Sequence, residues 1–297
     1  MDGNSDLRDL ITGYSVDPQA PVLFSTQNLI SLKPGTELNY ALSTDRWCVG
    51  FDEPHGTVGP CPDRAIAVEN DQCLNCNART RRTACVTCKG LNCANPARRA
   101  ECVFADHLVY LACYDIPNVD EQGNRLNKPF KVGVTRAERF ETRIVEQGAW
   151  GAIAIAAAGG QEVRRIEYTV FKRTGTPDRL NVLPLMARPE VDPAQAEALL
   201  RDEARRIAKM VPDVHFVFDG PFTYAGSHFP EAMMIPPRTL NPKTDALAGT
   251  VIGLRGGYLV LDAAGERVAV ALRGLSGREL IARETPVLGP AQGAFAF

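Results

Sequence analysis

The chain has 297 residues, 45% apolar and 23% charged, which excludes wholesale disorder and suggests more than one packed unit. A net charge of −2 excludes a globally basic nucleic-acid coat protein, and the longest apolar run, Ala149 to Ala158, is too short for the roughly 20 residues that a membrane helix needs. The first thirty residues lack a basic start before an apolar stretch, so no export signal is expected and the protein is read as cytoplasmic.

Residues 1–60 hold short β-like runs, VLFST and LNYAL, broken by Pro and Gly. Residues 61–102 carry little apolar periodicity and most of the cysteines. All nine cysteines lie between Cys48 and Cys113, and a cytoplasmic setting turns such clustering toward metal rather than disulfides. Cys73-x2-Cys76 and Cys85-x2-Cys88 are separated by eight residues; two such turns supply opposite edges of a tetrahedron, the expected structural zinc site. The remaining Cys48, Cys61, Cys93 and Cys102 are enough for a second zinc. Interleaved pairings satisfy the count equally, and His55 or His107 can replace a thiol. Cys113, inside an apolar strand, reads as a buried free thiol.

Residues 103–185 read as strand, strand, helix, strand, helix. LVYLACY at 108–114 and FKVGV at 130–134 are the first two strands. TRAE at 135–138 has the pattern of a capping box, opening a helix that Gly148 stops. AIAIA at 152–156 is the third strand, and QEVRRIEYTVFKR the second helix. On that helix Val163, Ile166 and Val170 mark the buried face, and Glu167 stands on it, so its carboxylate must be paired or bind a metal. Arg143 lies at the edge of the preceding helix's apolar stripe. The plain structural alternative is a Glu167–Arg143 ion pair joining two helices; the chemical one is an arginine for phosphate and a glutamate for a divalent cation.

Residues 186–297 open with the helix start Asp192-Pro193 and the stripe Leu199, Leu200, Ala204, Ile207 and Val211. HFVF at 215–218 is a strand candidate, residues 230–243 an irregular covering loop, and TVIGL, YLVLD and RVAVAL a three-stranded meander. From Cys73 to Arg173 there are 16 Lys and Arg against 10 Asp and Glu, a local +6 that leaves −8 elsewhere. A basic middle suits a DNA or RNA partner, or is a solvated face. Trp150 is read as core, with base stacking as the alternative.

Val109-Tyr110, Lys131-Val132-Gly133 with Thr135, Arg143 ten residues after that glycine, and Glu167 on a later helix resemble the GIY-YIG nuclease pattern. The resemblance implies a small antiparallel sheet with flanking helices. It also implies that Tyr110 and Gly133 take the motif positions, that Arg143 contacts phosphate, and that Glu167 holds Mg²⁺ or Mn²⁺. Lys131 stands where that family has its second tyrosine. A wider set, WCVG, Cys61-Pro62, the paired knuckles, KVGVT, EQGA and GLRGGYLVLD, resembles the uncharacterised prokaryotic domain-of-unknown-function family numbered 2797. The fold expected is therefore α+β: a β-rich unit from both terminal segments, a zinc-bound insert and a GIY-YIG-like domain at 103–185. Tyr110, Arg143 and Glu167 are expected in one pocket, with Lys131 and His107 on its rim. Metal-dependent phosphodiester cleavage of nucleic acid is the leading function; zinc-dependent binding without cleavage, or an enzyme acting on a small molecule, are the alternatives.

Overall fold

The computed structural model describes residues 8–17, 19–52, 58–68, 71–80, 88–90, 93, 96, 99–122, 124–188, 190–217, 220, 222–224 and 238–283. The strands of its three larger sheets, in chain order, begin with β1 (Ile11–Ser15), β2 (Val22–Ser25), β3 (Leu29–Ser31) and β4 (Glu37–Leu42). The central strands are β5 (His107–Cys113), β6 (Phe130–Arg136), β7 (Gly151–Ala158) and β8 (Phe222–Tyr224). The last are β9 (Arg238–Thr239), β10 (Leu247–Arg255), β11 (Tyr258–Ala263), β12 (Glu266–Ala271) and β13 (Leu280–Ala282). Five α-helices are described: α1 (Leu74–Thr80), α2 (Arg99–Phe104), α3 (Phe140–Gln147), α4 (Gly160–Thr174) and α5 (Pro193–Met210). The architecture is mixed α+β with small sheets. The chain divides into two compact units, one drawn from 1–51, 60–76 and 228–297, the other from 52–59 and 77–227.

In the first unit β1, β2 and β3 form a small antiparallel sheet, and a six-stranded sheet runs β9-β12-β11-β10-β4-β13. The meander β10–β11–β12 joins strands rich in Val, Leu and Ile by two-residue turns, with Arg255 opposite Tyr258 across Gly256-Gly257. Strand β4, from the N-terminal segment, lies between β10 and β13 from the C-terminal one. Its Leu38 joins Leu259, Leu261, Val268 and Val270 among the buried side chains.

In the second unit an antiparallel sheet runs β8-β7-β5-β6. Both faces of strand β5 are covered, which suits its continuous apolar run. Side chains alternate along it. Val109, Leu111 and Cys113 pack with Val163, Ile166 and Val170 of α4 and with Leu200, Ala204 and Ile207 of α5. Tyr110, Ala112 and Tyr114 pack with Phe140 and Ile144 of α3 on the opposite face. Each fully buried aliphatic side chain here contributes about 1.5–3 kcal/mol. Asp192 caps α5 by accepting from the backbone of Ala194 and Gln195 at 2.9 and 3.2 Å. Cys113 is buried, its thiol 3.4 Å from the Asp115 carbonyl.

Two local expectations need correction. No capping box forms at 135–138, because Thr135 is still in β6, opposite Leu108, and α3 begins only at Phe140 after a short 3₁₀ turn. Gly148 does end α3, in the left-handed region. HFVF is not a strand over 215–217: Val217 donates to the Ile155 carbonyl at 2.7 Å, but the ladder partner of β7 is β8. Of the loop expected at 230–243, residues 230–237 lie outside the described residues, and Arg238–Thr239 is a strand.

Candidate functional site

Four sulfurs meet in the first unit. Residues 61–66 fold back on the segment after β4: Arg64 donates to the Cys61 carbonyl, Cys48 donates to the Ala65 carbonyl at 2.9 Å, and Trp47 bridges Ile66. This brings Cys48 beside Cys61. Cys73 and Cys76 enter at the start of α1, and the Cys76 N–H donates to Cys73 Sγ at 3.4 Å. The N–H of Gly50, whose φ of 105° favours glycine, donates to Cys48 Sγ at 3.4 Å. Cys48, Cys61, Cys73 and Cys76 all lie within 4.8 Å of one another, and the Cys61–Cys73 separation is 3.8 Å. A zinc tetrahedron with Zn–S bonds of about 2.3 Å has edges of about 3.8 Å.

The electrostatics agree with a set that wants a cation. Burial pushes the Cys48 and Cys76 thiols up. At Cys61 burial acts the same way but is outweighed by backbone donors at Ala65 and Asp63 and by the neighbouring thiols, so its pKa is lowered. Thiols with opposed preferences in one buried cluster cannot all ionise unless a positive charge joins them. All-sulfur donors fit a soft ion, and four of them close the coordination shell. This cluster can hold zinc.

Among the described residues it is Cys48 and Cys61, an interleaved pairing, that join Cys73 and Cys76. The Cys73/Cys76 knuckle closes with Cys48 and Cys61, because the turn at 61–66 delivers those two sulfurs to it. Cys85 and His55 lie outside the described residues. Cys88 is part-buried, accepting from the Gly90 N–H at 3.3 Å; Cys93 is exposed; Cys102 is part-buried on α2. None of these three joins the four-sulfur cluster among the described residues.

A second polar cluster forms around β6, the edge strand of the four-stranded sheet, where groups from both faces can meet. The Gln147 side-chain carbonyl accepts from Tyr110 Oη at 2.8 Å, Lys131 Nζ at 2.8 Å and Tyr114 Oη at 3.2 Å. Tyr110 sits opposite Gly133, and its phenol crosses the space a side chain there would fill: an added Cβ would lie 2.4 Å from Tyr110 Cζ and Oη. Burial pushes the Tyr110 hydroxyl up to about 12, partly offset by the Arg143 charge. Burial, then the same Arg143 charge, pushes Lys131 down to about 8, while Glu167 and Asp178 act against the fall. Burial raises the Glu167 carboxyl, with Arg164 the main opposing charge.

Arg143 and Glu167 therefore both act on Tyr110 and Lys131, but they do not pair with each other. Arg143 reaches Glu146 at 3.4 Å and is 42% exposed; Glu167 reaches Arg164 at 3.1 Å and is 14% exposed. His107 is elsewhere, which corrects its expected place on this rim. It has the parity of Val109, not of Tyr110, and its ring lies with Cys102 against Gly160 at the start of α4, Nδ1 2.7 Å from the Ala105 carbonyl. Trp150 is buried with Val191 and Ala196. Gln147, Asp178 and Arg179 are additions that sequence reasoning missed. Gln147 was findable, since it lies three residues after Ile144 and four after Arg143 on one helical face.

No curated protein and no solved structure matches the chain. A family model described as "Protein of unknown function (DUF2797)" matches residues 35–280, most of the 297 residues, and the chain belongs to that family.

Proposed function

We propose that this is a zinc-containing protein of GIY-YIG type whose second unit cleaves phosphodiester bonds in nucleic acid with the help of a divalent cation. The observation that carries the reading is the convergence of Tyr110 and Lys131 on Gln147, with Arg143 and Glu167 acting on both. Zinc held by Cys48, Cys61, Cys73 and Cys76 is structural in this reading, because a complete sulfur shell leaves no position for substrate.

Arg143, the exposed cation of the set, takes the phosphate and stabilises its developing charge. The Glu167 carboxylate, with the Asp178 charge near it, offers oxygen to Mg²⁺ or Mn²⁺. Such a cation, when bound, supplies Lewis-acid charge to the phosphoryl group. Tyr110 keeps its proton at neutral pH and orients Gln147. Lys131, in the place of a tyrosine, is the group whose Nζ can hold or release a proton near neutral pH. The basic stretch from Cys73 to Arg173 suits a polyanionic substrate.

A second reading, binding without cleavage, is favoured by the ion pair that Glu167 already makes with Arg164. Incubating the purified chain with single- and double-stranded DNA and RNA in Mg²⁺ or Mn²⁺ separates the two. Cleavage that falls by a factor of about 10² or more in Glu167→Gln is expected. Tight binding with intact nucleic acid would leave only the second reading, and neither binding nor cleavage would remove both.

A further inference from the structure

On the second unit, a cleft of about 390 Å³ is lined by Arg125, Lys128, Thr174, Thr176, Glu203 and Arg206, among others. Its organising residue is Glu203. It lies three residues after Leu200 and four before Ile207 on the buried face of α5, and its side chain is wholly inaccessible. The carboxylate accepts from Arg125 Nη2 at 2.6 Å and from Arg206 Nε at 2.9 Å and Nη2 at 2.8 Å, with Thr176 Oγ1 at 3.4 Å. A carboxylate so satisfied has no capacity left for a ligand. What it does is hold two guanidinium groups in fixed orientation, each still about one third exposed: 35% for Arg125 and 37% for Arg206.

Three cations, Arg125, Lys128 and Arg206, thus line the cleft against one buried anion. Lys128 is exposed and makes no ion pair among the described residues. The uncompensated charge is +2, carried by planar forks and an ammonium, which together match a tetrahedral oxyanion. The location gives that oxyanion a context. Lys128 and Phe130 lead directly into Lys131, and Val132 N–H donates to the Pro177 carbonyl at 2.9 Å. Segments 128–132 and 174–177 therefore run together from the cleft toward the Lys131 cluster.

We infer that this cleft is a second phosphate subsite, which holds a backbone phosphate of the same nucleic acid strand at a distance from the bond presented to Arg143 and Lys131. The inference takes its ligand class from the function proposed above, but not its chemistry. Contacts to phosphate from positive charges fix register and carry no base information. The subsite is therefore sequence-independent and salt-sensitive.

The test is fluorescence anisotropy with labelled single-stranded 12-mers of two unrelated sequences, in the full chain carrying Glu167→Gln, over a series of salt concentrations. Adding Lys128→Glu should weaken both oligonucleotides about tenfold and equally, and reduce the dependence of log affinity on log salt by about one. Arg125→Gln should do the same, and a melting curve shows whether either change has disturbed the fold. Unchanged affinity and salt dependence in a folded Lys128→Glu protein would overturn the subsite, as would failure of the parent to bind either 12-mer. Failed cleavage by wild type, with the Lys128→Glu effect present, would remove the proposed activity and keep the subsite.

Discussion

The four-sulfur cluster and the Tyr110–Lys131–Gln147 cluster are both buried polar groups, yet they are held together by different means. The sulfurs come from turns and the first turn of a short helix, where the N–H groups of Gly50 and Cys76 donate to Cys48 and Cys73 at 3.4 Å and backbone donors at Ala65 and Asp63 act on Cys61. Nothing in the local backbone would keep four such groups together once they ionise. The second cluster is placed by strand register: Tyr110 opposite Gly133, Lys131 two residues along the same edge, Gln147 ending a helix whose Phe140 and Ile144 are buried. Its donors and acceptor satisfy one another. One region gathers four sulfurs that a metal ion could hold together; the other is held by its sheet and its own hydrogen bonds.

If zinc fills the four-sulfur site as proposed, stripping it should break the comparison most visibly. The binding free energy of a structural zinc, about 10–16 kcal/mol in small domains, is folding free energy for the segment that holds it. Under a strong chelator, amide hydrogen exchange at Cys48, Gly50 and Cys76 should accelerate by orders of magnitude while β5 and β6 stay protected. Equal acceleration in both regions would show that they are not separately held.

Gly133→Ala should break the other side. Its Cβ would have to displace the Tyr110 ring or the backbone, and overpacking of this kind costs about 1–3 kcal/mol. Denaturant unfolding should report that loss while the zinc content stays at the wild-type level.

A finer difference concerns pH. Lys131 is pushed down to about 8 by burial, below the ordinary lysine value, so the folded state loses this proton before the unfolded state does. Between about pH 8 and pH 10.4 the unfolded chain binds more protons, and stability must rise with pH on account of this residue. Lys131→Met should remove the rise. Urea midpoints for both proteins at pH 7.5 and 9.5 check it, and parallel shifts would contradict it.

How far the sequence could be read follows the same division. Elements with a strong period were legible: the buried run of β5, the Val163–Ile166–Val170 face of α4, the Asp192 cap of α5 and the terminal meander. The placing of Glu167 on a buried face followed from spacing alone. The reversed spacing, three residues after Leu200 and four before Ile207, puts Glu203 on the buried face of α5, so that residue was legible too. The capping box misled because Thr135 and Glu138 match it locally, while pairing with β5 carries the strand through Arg136. Cysteine grouping was not legible, since which sulfurs share a tetrahedron depends on how the 61–66 turn folds back, and no spacing rule encodes that. His107 lies three residues before Tyr110 in sequence, but strand alternation turns its side chain to the other face, toward Cys102 and Gly160.

The most direct test is the zinc content of three purified proteins, wild type, Cys48→Ser and Cys88→Ser, by mass spectrometry under native conditions. A centre made by Cys48, Cys61, Cys73 and Cys76 predicts a tightly bound zinc in wild type that is lost or greatly weakened in Cys48→Ser and retained in Cys88→Ser. Zinc retained in Cys48→Ser and lost in Cys88→Ser would contradict it and restore the grouping of Cys73 and Cys76 with Cys85 and Cys88.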